Sequence, residues 1–440
     1  MKIHCISLGC PKNLTDTEAV LGILRRAGHK IIPDAAKAEI ILINTCAFIQ
    51  SATEESIDTI LDAAKYKKTG KCKHLIVMGC LPSRYQKKIS KLLPEVDAFV
   101  GSGELDKINE IIGGAVAKEH AAVSPRKQKS CLFGHEIPRL KVTPKHFAYV
   151  KIADGCNNRC TYCTIPQIRG RYQSRPIDSI IKEVKLLAKM GAKEIIFVAQ
   201  ETTYYGTDLY GKPALVKLLK STAKIKGIHW IRIMYTHPAR ITDELIKLIK
   251  NEPKICKYLD LPLQHICDKI LTNMGRRYTR RLVDNLISKI RRSIPEIVLR
   301  STFLVGFPGE TNKDFEELLR FTENTKLERL GVFKYSKEEG TPASKLRGQV
   351  SAKVKNQRFH KLMRRQNMIS RRFNRNLINK MFEILVDCGV SGGSLGRTYM
   401  DAPEIDGSVL IKNSKIRSGK IVLGKIIDSS AYDLSARLIT

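Results

Sequence analysis

Short apolar runs alternate with helix-patterned stretches through most of this 440-residue chain, and that rhythm admits few folds. KIHCISL, EIILIN and KHLIVM are rich in Ile, Leu and Val and read as buried strands. Between them, TDTEAVLGILRRAG and SATEESIDTILDAAKYKKTG carry helical spacing, with Thr15 or Asp16 and Ser51 as expected N-caps. Alternation of this kind builds an α/β fold with a parallel sheet between helices. A doubly wound parallel-sheet domain is therefore expected over residues 1–114. A polar stretch with Pro and Lys, residues 115–144, reads as a linker. The rhythm then resumes over 145–344 with FAYVKIA, EIIFVAQ, WIRIMYT, KYLDLPL, VLRSTFLVG and LGVFKYS. Six strand–helix units predict a partial (β/α)6 barrel, because eight are needed to close a full one.

The remainder has a different character. From Lys345 to Arg375 there are eleven Lys or Arg and no Asp or Glu. Apolar residues at Phe359, Leu362, Met363, Ile369, Phe373 and Leu377 make residues 345–377 an amphipathic connecting helix with a cationic face. That face is either a solvated surface or an RNA contact. Over 378–440 the pattern changes to EILVDC, GRTYM, GSVLIK, IVLGKII and LSARLI, separated by Gly-rich turns such as VSGGSLG. A small β-barrel of roughly OB-fold size fits.

The net charge of +34 points to a polyanionic neighbour such as RNA or the ribosome, or to a generally basic proteome. The excess lies in the middle: residues 141–377 carry 48 basic and 21 acidic side chains, residues 378–440 only 8 and 7. Without an apolar run long enough to cross a bilayer, and with no signal-peptide pattern in MKIHCISLGC, a cytoplasmic protein without a membrane partner is expected. There, twelve cysteines make a poor disulfide framework and a better source of metal or cluster ligands.

Three of them stand in GCNNRCTYC, where Cys156, Cys160 and Cys163 form a C-x3-C-x2-C array directly after an apolar run. Zinc in a structural site takes four ligands, and His265 or Cys267 could complete one. Iron–sulfur clusters are held by cysteine thiolates, normally four. A four-iron cluster with three cysteines leaves one iron open to a small chelating molecule. The array, with Tyr162 as the aromatic before its last cysteine, resembles the signature of the radical S-adenosylmethionine (SAM) enzymes. The resemblance implies that SAM occupies the open iron and is split to a deoxyadenosyl radical, which abstracts hydrogen from an unactivated carbon. It also implies that residues at the C-terminal strand ends contact SAM. These are Gln200 and Glu201 in AQETTYYG, Gln264 and His265 in LPLQH, and Arg300, Gly306 and Gly309 in RSTFLVGFPGET. Read singly, Gln264 and His265 could be satisfied polar residues, and Glu201 a helix cap.

A second set, Cys10, Cys46 and Cys80, follows the expected strands ISLGC, LINTC and VMGC. In a parallel sheet those strand ends share an edge, so the thiols can converge; the alternative is three small buried residues. Cys5, Cys72, Cys131, Cys256, Cys267 and Cys388 form no comparable set and read as structural.

The whole layout is similar to the methylthiotransferases: a three-cysteine N-terminal domain, a radical SAM barrel and a small β-barrel called a TRAM domain. The resemblance implies two [4Fe-4S] clusters and two uses of SAM, one to methylate a cluster-held sulfur and one to supply the radical. A reductant and a sulfur donor are implied with them. Members modify tRNA adenosines or an aspartate of a small-subunit ribosomal protein. GCPKN (Gly9 to Asn13), INTCAFIQSATEESI, LPEVD and GRTYMDAPEIDG look like the protein-modifying, RimO-type branch. A β-methylthio-aspartate in ribosomal protein S-twelve, free or in the ribosome, is the implied product. A nearly neutral TRAM domain agrees, because an RNA-binding one should be basic. The acids of DAPEID, Asp401, Glu404 and Asp406, offer a patch for a basic protein, or shape a turn. The tRNA reading, and a non-catalytic RNA- or ribosome-binding protein, are the alternatives.

Overall fold

The computed structural model describes residues 1–117 and 131–439. Residues 118–130 of the expected linker lie outside the described residues. Five parallel strands form the N-terminal sheet: β1 (Lys2–Ser7), β2 (Lys30–Ile31), β3 (Ile40–Thr45), β4 (His74–Gly79) and β5 (Ala98–Gly101), in the order β2-β1-β3-β4-β5. The strand period splits β3 between two cores. Ile41 and Ile43 pack with Ile60 of helix α2 (Gln50–Ala64). Ile40 and Leu42 pack with Val20 of α1 (Pro11–Arg26) and Ile108 of α3 (Ile108–Val116). Helices thus cover both faces of the sheet, as doubly wound folds require.

The expected N-caps are corrected. Helix α1 starts at Pro11 with Cys10 in the cap position, so Thr15 and Asp16 are buried inside it. Proline suits a first helical position, where its missing N–H is no loss. The Thr15 hydroxyl donates back to Lys12 O at 2.7 Å instead of capping. Helix α2 starts at Gln50 with Ile49 at the cap, which puts Ser51 in its first turn.

The second unit has six parallel strands: β6 (Phe147–Lys151), β7 (Glu194–Val198), β8 (Trp230–Ile233), β9 (Tyr258–Asp260), β10 (Val298–Val305) and β11 (Arg329–Lys334). They form two three-stranded sheets joined by a parallel bridge between Ile231 and Ile255, an open partial barrel. Alternation again sorts the side chains. Ala148, Val150, Ile195 and Phe197 face an outer core with Ile180 and Val184 of α4 (Ile177–Lys189). Phe147, Tyr149, Ile196, Trp230, Tyr258 and Val298 belong to another core, shared with the C-terminal barrel.

That last unit is reached along helix α5 (Ala352–Arg375). Its strands β12 (Met381–Val390), β13 (Gly393–Arg397), β14 (Val409–Lys412), β15 (Ile421–Ser429) and β16 (Leu434–Leu438) close in the order β12-β13-β14-β16-β15. The expectation of a free acidic patch in DAPEID is overturned. Asp401 is 1% exposed and meets Arg329 at 2.8 Å. Asp406 accepts from Tyr258 Oη at 2.7 Å and lies 3.4 Å from Arg300. The Pro403 carbonyl accepts from Tyr149 Oη at 3.1 Å. Arg397 and Arg232 both bind Glu194, the first residue of β7, at 2.7 Å. The segment therefore plugs the N-terminal mouth of the large barrel. Its aspartates are used up by arginines inside the molecule; only Glu404 of the three acids is exposed.

Candidate active site

Because β1, β3 and β4 are neighbours and parallel, their C-terminal ends bring Cys10, Cys46 and Cys80 to one edge. Asn13 stitches that edge together. Its Nδ2 donates to Thr45 O at 2.9 Å, its Oδ1 accepts from Cys80 Sγ at 3.5 Å, and its own carbonyl accepts from Asn44 Nδ2 at 2.8 Å. Ser56 of α2 brackets Cys46, accepting from its N–H at 3.1 Å and donating to its carbonyl at 2.7 Å. Burial, with Cys80 and Cys10 adding, pushes the Cys46 thiol up to about 12. Burial also raises Cys80, against the pull of the nearby Arg169 guanidinium. Thiols of this kind lose their protons when a metal displaces them.

The second set hangs from the end of β6. A two-residue strand pair, Ala153–Asp154 with Gln173–Ser174, anchors the loop. Gly155 has φ +74°, and a Cβ there would meet Arg171 O at 2.2 Å, so only glycine lets the chain turn here. Cys156 Sγ accepts from the Asn158 N–H at 3.4 Å, and Cys160 Sγ accepts from Arg276 Nη1 at 3.6 Å. Burial pushes Cys156 up to about 11 and raises Cys163 as well, with Cys160 adding to both.

His265 and Cys267 do not complete this set. His265 is fully buried with Nδ1 accepting from the Cys267 N–H at 3.0 Å, and Cys267 Sγ donates to Asp314 at 3.2 Å. Among the described residues, no three His, Cys, Asp or Glu side chains close on a single ion. One zinc ion, with Zn–S of about 2.3 Å, would draw its sulfurs into a tighter ring. An all-thiol set with a cation or amide donor at each edge suits a cluster, in which each iron takes its own thiolate.

The other predicted residues are placed unevenly. Gln200 Nε2 donates to Asp154 at 2.7 Å, just before the cysteine loop, while its buried Oε1 accepts from nothing among the described residues. Glu201 holds Arg240 at 2.7 Å and accepts from the Asn158 side chain, so it braces the loop and is more than a cap. Gln264 sits at φ +68°, bridged to β10 by its own N–H and carbonyl, both at 2.7 Å. The Gly306 N–H donates to Glu310 at 2.7 Å, and Gly309 N to Gly348 O at 2.9 Å. Tyr162 packs edge-on to Phe307. Arg300 departs from expectation: it lies in the first half of β10, away from the C-terminal end, and is bound to Asp260 at 2.8 Å as well as to Asp406.

Sequence reasoning missed the group that joins the two sets. Arg169 is 2% exposed. It reaches Asp16 at 2.6 Å, Asp154 at 3.0 Å and Cys80 Sγ at 3.6 Å, and it donates to Asn13 Oδ1. Lys151 meets the same two aspartates, Asp154 at 3.0 Å. A buried ionic knot thus runs from one thiol edge to the other. The signal was faint: polar residues in α1, where a surface helix would show them too.

Family models match three segments: the radical SAM superfamily over residues 150–322, the uncharacterized protein family UPF0004 over 2–101, and the TRAM domain over 378–439. The chain is 47% identical to ribosomal protein uS12 methylthiotransferase RimO of Citrifermentans bemidjiense, covering 100% of this chain and 98% of that one. It is 46% identical to the protein of that name from Geobacter sulfurreducens (100% and 99% covered) and from Clostridioides difficile (99% and 98%). Among solved structures, the radical S-adenosylmethionine methyltransferase TsrM of Kitasatospora setae shares the fold, with a TM-score of 0.57, 12% identity, and 78% and 76% of the chains covered. The radical enzyme OxsB does so with a TM-score of 0.54 at 12% identity, over 84% of this chain and 56% of that one.

Proposed function

Because the chain belongs to the RimO family of ribosomal protein uS12 methylthiotransferases, we propose that it transfers a methylthio group to the β-carbon of an aspartate of uS12. The observation that carries the mechanism is the pair of three-thiol edges joined by Arg169. Cys156, Cys160 and Cys163 would hold one [4Fe-4S] cluster, and Cys10, Cys46 and Cys80 a second. When bound, these clusters and SAM supply the radical that takes the β-hydrogen and the sulfur that replaces it.

The chain's own residues orient and insulate. Asn158 N–H, Arg276 and Arg169 aim donors at Cys156, Cys160 and Cys80, which stabilises thiolates in a buried setting. Gln200 offers SAM a buried amide oxygen that an amino group would satisfy. Glu201, fixed by Arg240, keeps Asn158 in position. Tyr162, Gln264 and Gly306 complete the SAM surroundings, and Arg300 belongs with the barrel floor. Hydrogen abstraction needs no protein base, so none is assigned.

The domain division 1–114, 145–344 and 378–440, with a linker and α5 between, is supported by the three family matches. A ribosomal substrate fits work in the cytoplasm, with a cellular reductant and sulfur donor. It also gives the cationic face of α5 a use against ribosomal RNA, because Arg364, Arg371, Arg372 and Arg375 have no carboxylate within ion-pair distance among the described residues.

Mass spectrometry tests this. Anaerobically reconstituted, reduced enzyme is given SAM and sulfide with uS12 and total tRNA together. A methylthio gain on a uS12 aspartate is expected; a gain on tRNA adenosine would transfer the enzyme to the RNA-modifying branch. Failure to cleave SAM would favour a non-catalytic binding protein. Replacing Cys10, Cys46 and Cys80 by Ala should lower iron from about eight to about four per chain.

A further inference from the structure

Eight lysines and arginines are buried among the described residues. Seven have a carboxylate at ion-pair distance: Lys151, Arg169, Arg175, Arg232, Arg329, Arg358 and Arg397. Lys12 is the eighth. It is 8% exposed, and its close partner is the face of Tyr235, 3.4 Å from Nζ to the ring centre. Burying an ammonium without a paired counter-ion is costly, and the face of an aromatic ring offsets only part of that cost. Cys10 and Asp154 act on Lys12 only from beyond ion-pair distance, so among the described residues this is the buried cation without a directly paired carboxylate, and it can take an anion that arrives from outside.

Its position says which anion. Lys12 lies in the first turn of α1, two residues after Cys10. Tyr235 follows β8 at the C-terminal side of the barrel, at φ +60°, a conformation non-glycine residues rarely hold. Two bonds fix it there: its N–H donates to Asp260 at 2.8 Å, and its carbonyl accepts from Thr202 N at 3.0 Å. Lys12 thus reaches from the N-terminal thiol edge onto the rim of the barrel. In the proposed function, sulfur from that edge must meet a carbon at that rim. An aspartyl β-carbon carries its carboxylate one bond away. We propose that Lys12 binds the side-chain carboxylate of the substrate aspartate and so determines specificity for an acidic side chain. The inference rests on the aspartate reading above.

The test uses the full-length enzyme with both clusters reconstituted, as parent, Lys12→Met and Lys12→Arg. Each is titrated with uS12 and with uS12 whose modified aspartate is Asn. Iron content and the EPR signals of both clusters are recorded for each protein. The parent should bind the Asp form about tenfold or more tightly than the Asn form. Lys12→Met should bind the two equally, with iron and EPR signals unchanged, and Lys12→Arg should keep part of the preference. A Lys12→Met enzyme that retains the parent's preference overturns the proposal. So does one that loses its N-terminal cluster while Lys12→Arg loses it too, because Lys12 would then serve the cluster. If the parent neither prefers nor modifies the Asp form, the aspartate reading itself fails and takes this inference with it.

Discussion

His265 has no exposed surface, and its Nδ1 must accept because the Cys267 N–H donates to it. Its Nε2 stands 3.9 Å from Glu310 and has no hydrogen-bond partner among the described residues. Burial, with Arg358 adding and Asp314 opposing, depresses the imidazole to about 3. His237 is depressed likewise, to about 2, by burial and then by Arg276 and Arg240. Both rings stay neutral in the fold, whereas the unfolded chain takes up their protons near pH 6.5. Stability present above that pH is therefore lost as pH falls, at about 1.4 kcal/mol per unit for each ring. Asn can offer an acceptor in the place of Nδ1 without titrating. His265→Asn should lose about 2 kcal/mol less than the parent between pH 7 and pH 5, measured by urea unfolding at both. Equal losses would mean that His265 is protonated in the fold.

At the level of elements, the junction of β4 with Cys80 makes the same kind of demand. Gly79 has φ +97°, and a Cβ would stand 2.2 Å from Asn44 Oδ1. Asn44 in turn holds Asn13 and Thr17. Gly79→Ala should destabilise by about 1–3 kcal/mol and loosen the N-terminal thiol edge, seen as lower iron per chain at unchanged expression. Gly113, in α3, has open space around it, and Gly113→Ala should gain about 0.5 kcal/mol. These contrasts indicate what could be read beforehand. Cys10, Cys46 and Cys80 were legible because strand ends in a parallel sheet share an edge whatever the loops do. The long strands were legible from their Ile, Leu and Val runs. Strands β2 and β5 were too short to register, and the start of α1 was hidden by Thr15 and Asp16, whose side chains serve buried bonds. Arg169 was illegible for another reason: its partners lie 15 to 156 residues away in the chain.

At the scale of the molecule, counting charges misled. The TRAM segment is nearly neutral in sum, but three of its seven acids point inward: Asp401 to Arg329, Asp406 to Tyr258 and Arg300, and Asp387 to Arg397 and His146, while Glu383, Glu404, Asp428 and Asp433 stay exposed. Lys412, Lys415, Arg417 and Lys420 are left outside. A small barrel used this way is the floor of the large one. Val298, Trp230 and Tyr258 share a core with Ile384, Val409 and Ile426 of the small barrel. Two changes separate the terms. Asp401→Asn leaves the apolar contact intact but strands the Arg329 charge, and should cost about 3–5 kcal/mol while the chain still unfolds in one step. Ending the chain after Leu377 removes the apolar cover as well. Large aromatic and aliphatic side chains would then face water, each giving up about 1.5–3 kcal/mol of burial. The shortened protein should lose its cooperative thermal transition and aggregate, even though every proposed cluster ligand and SAM contact is present. A truncated chain that melts cooperatively near the parent's temperature would mean that the C-terminal barrel is an appended module after all, and that its buried ion pairs add nothing to the barrel's stability.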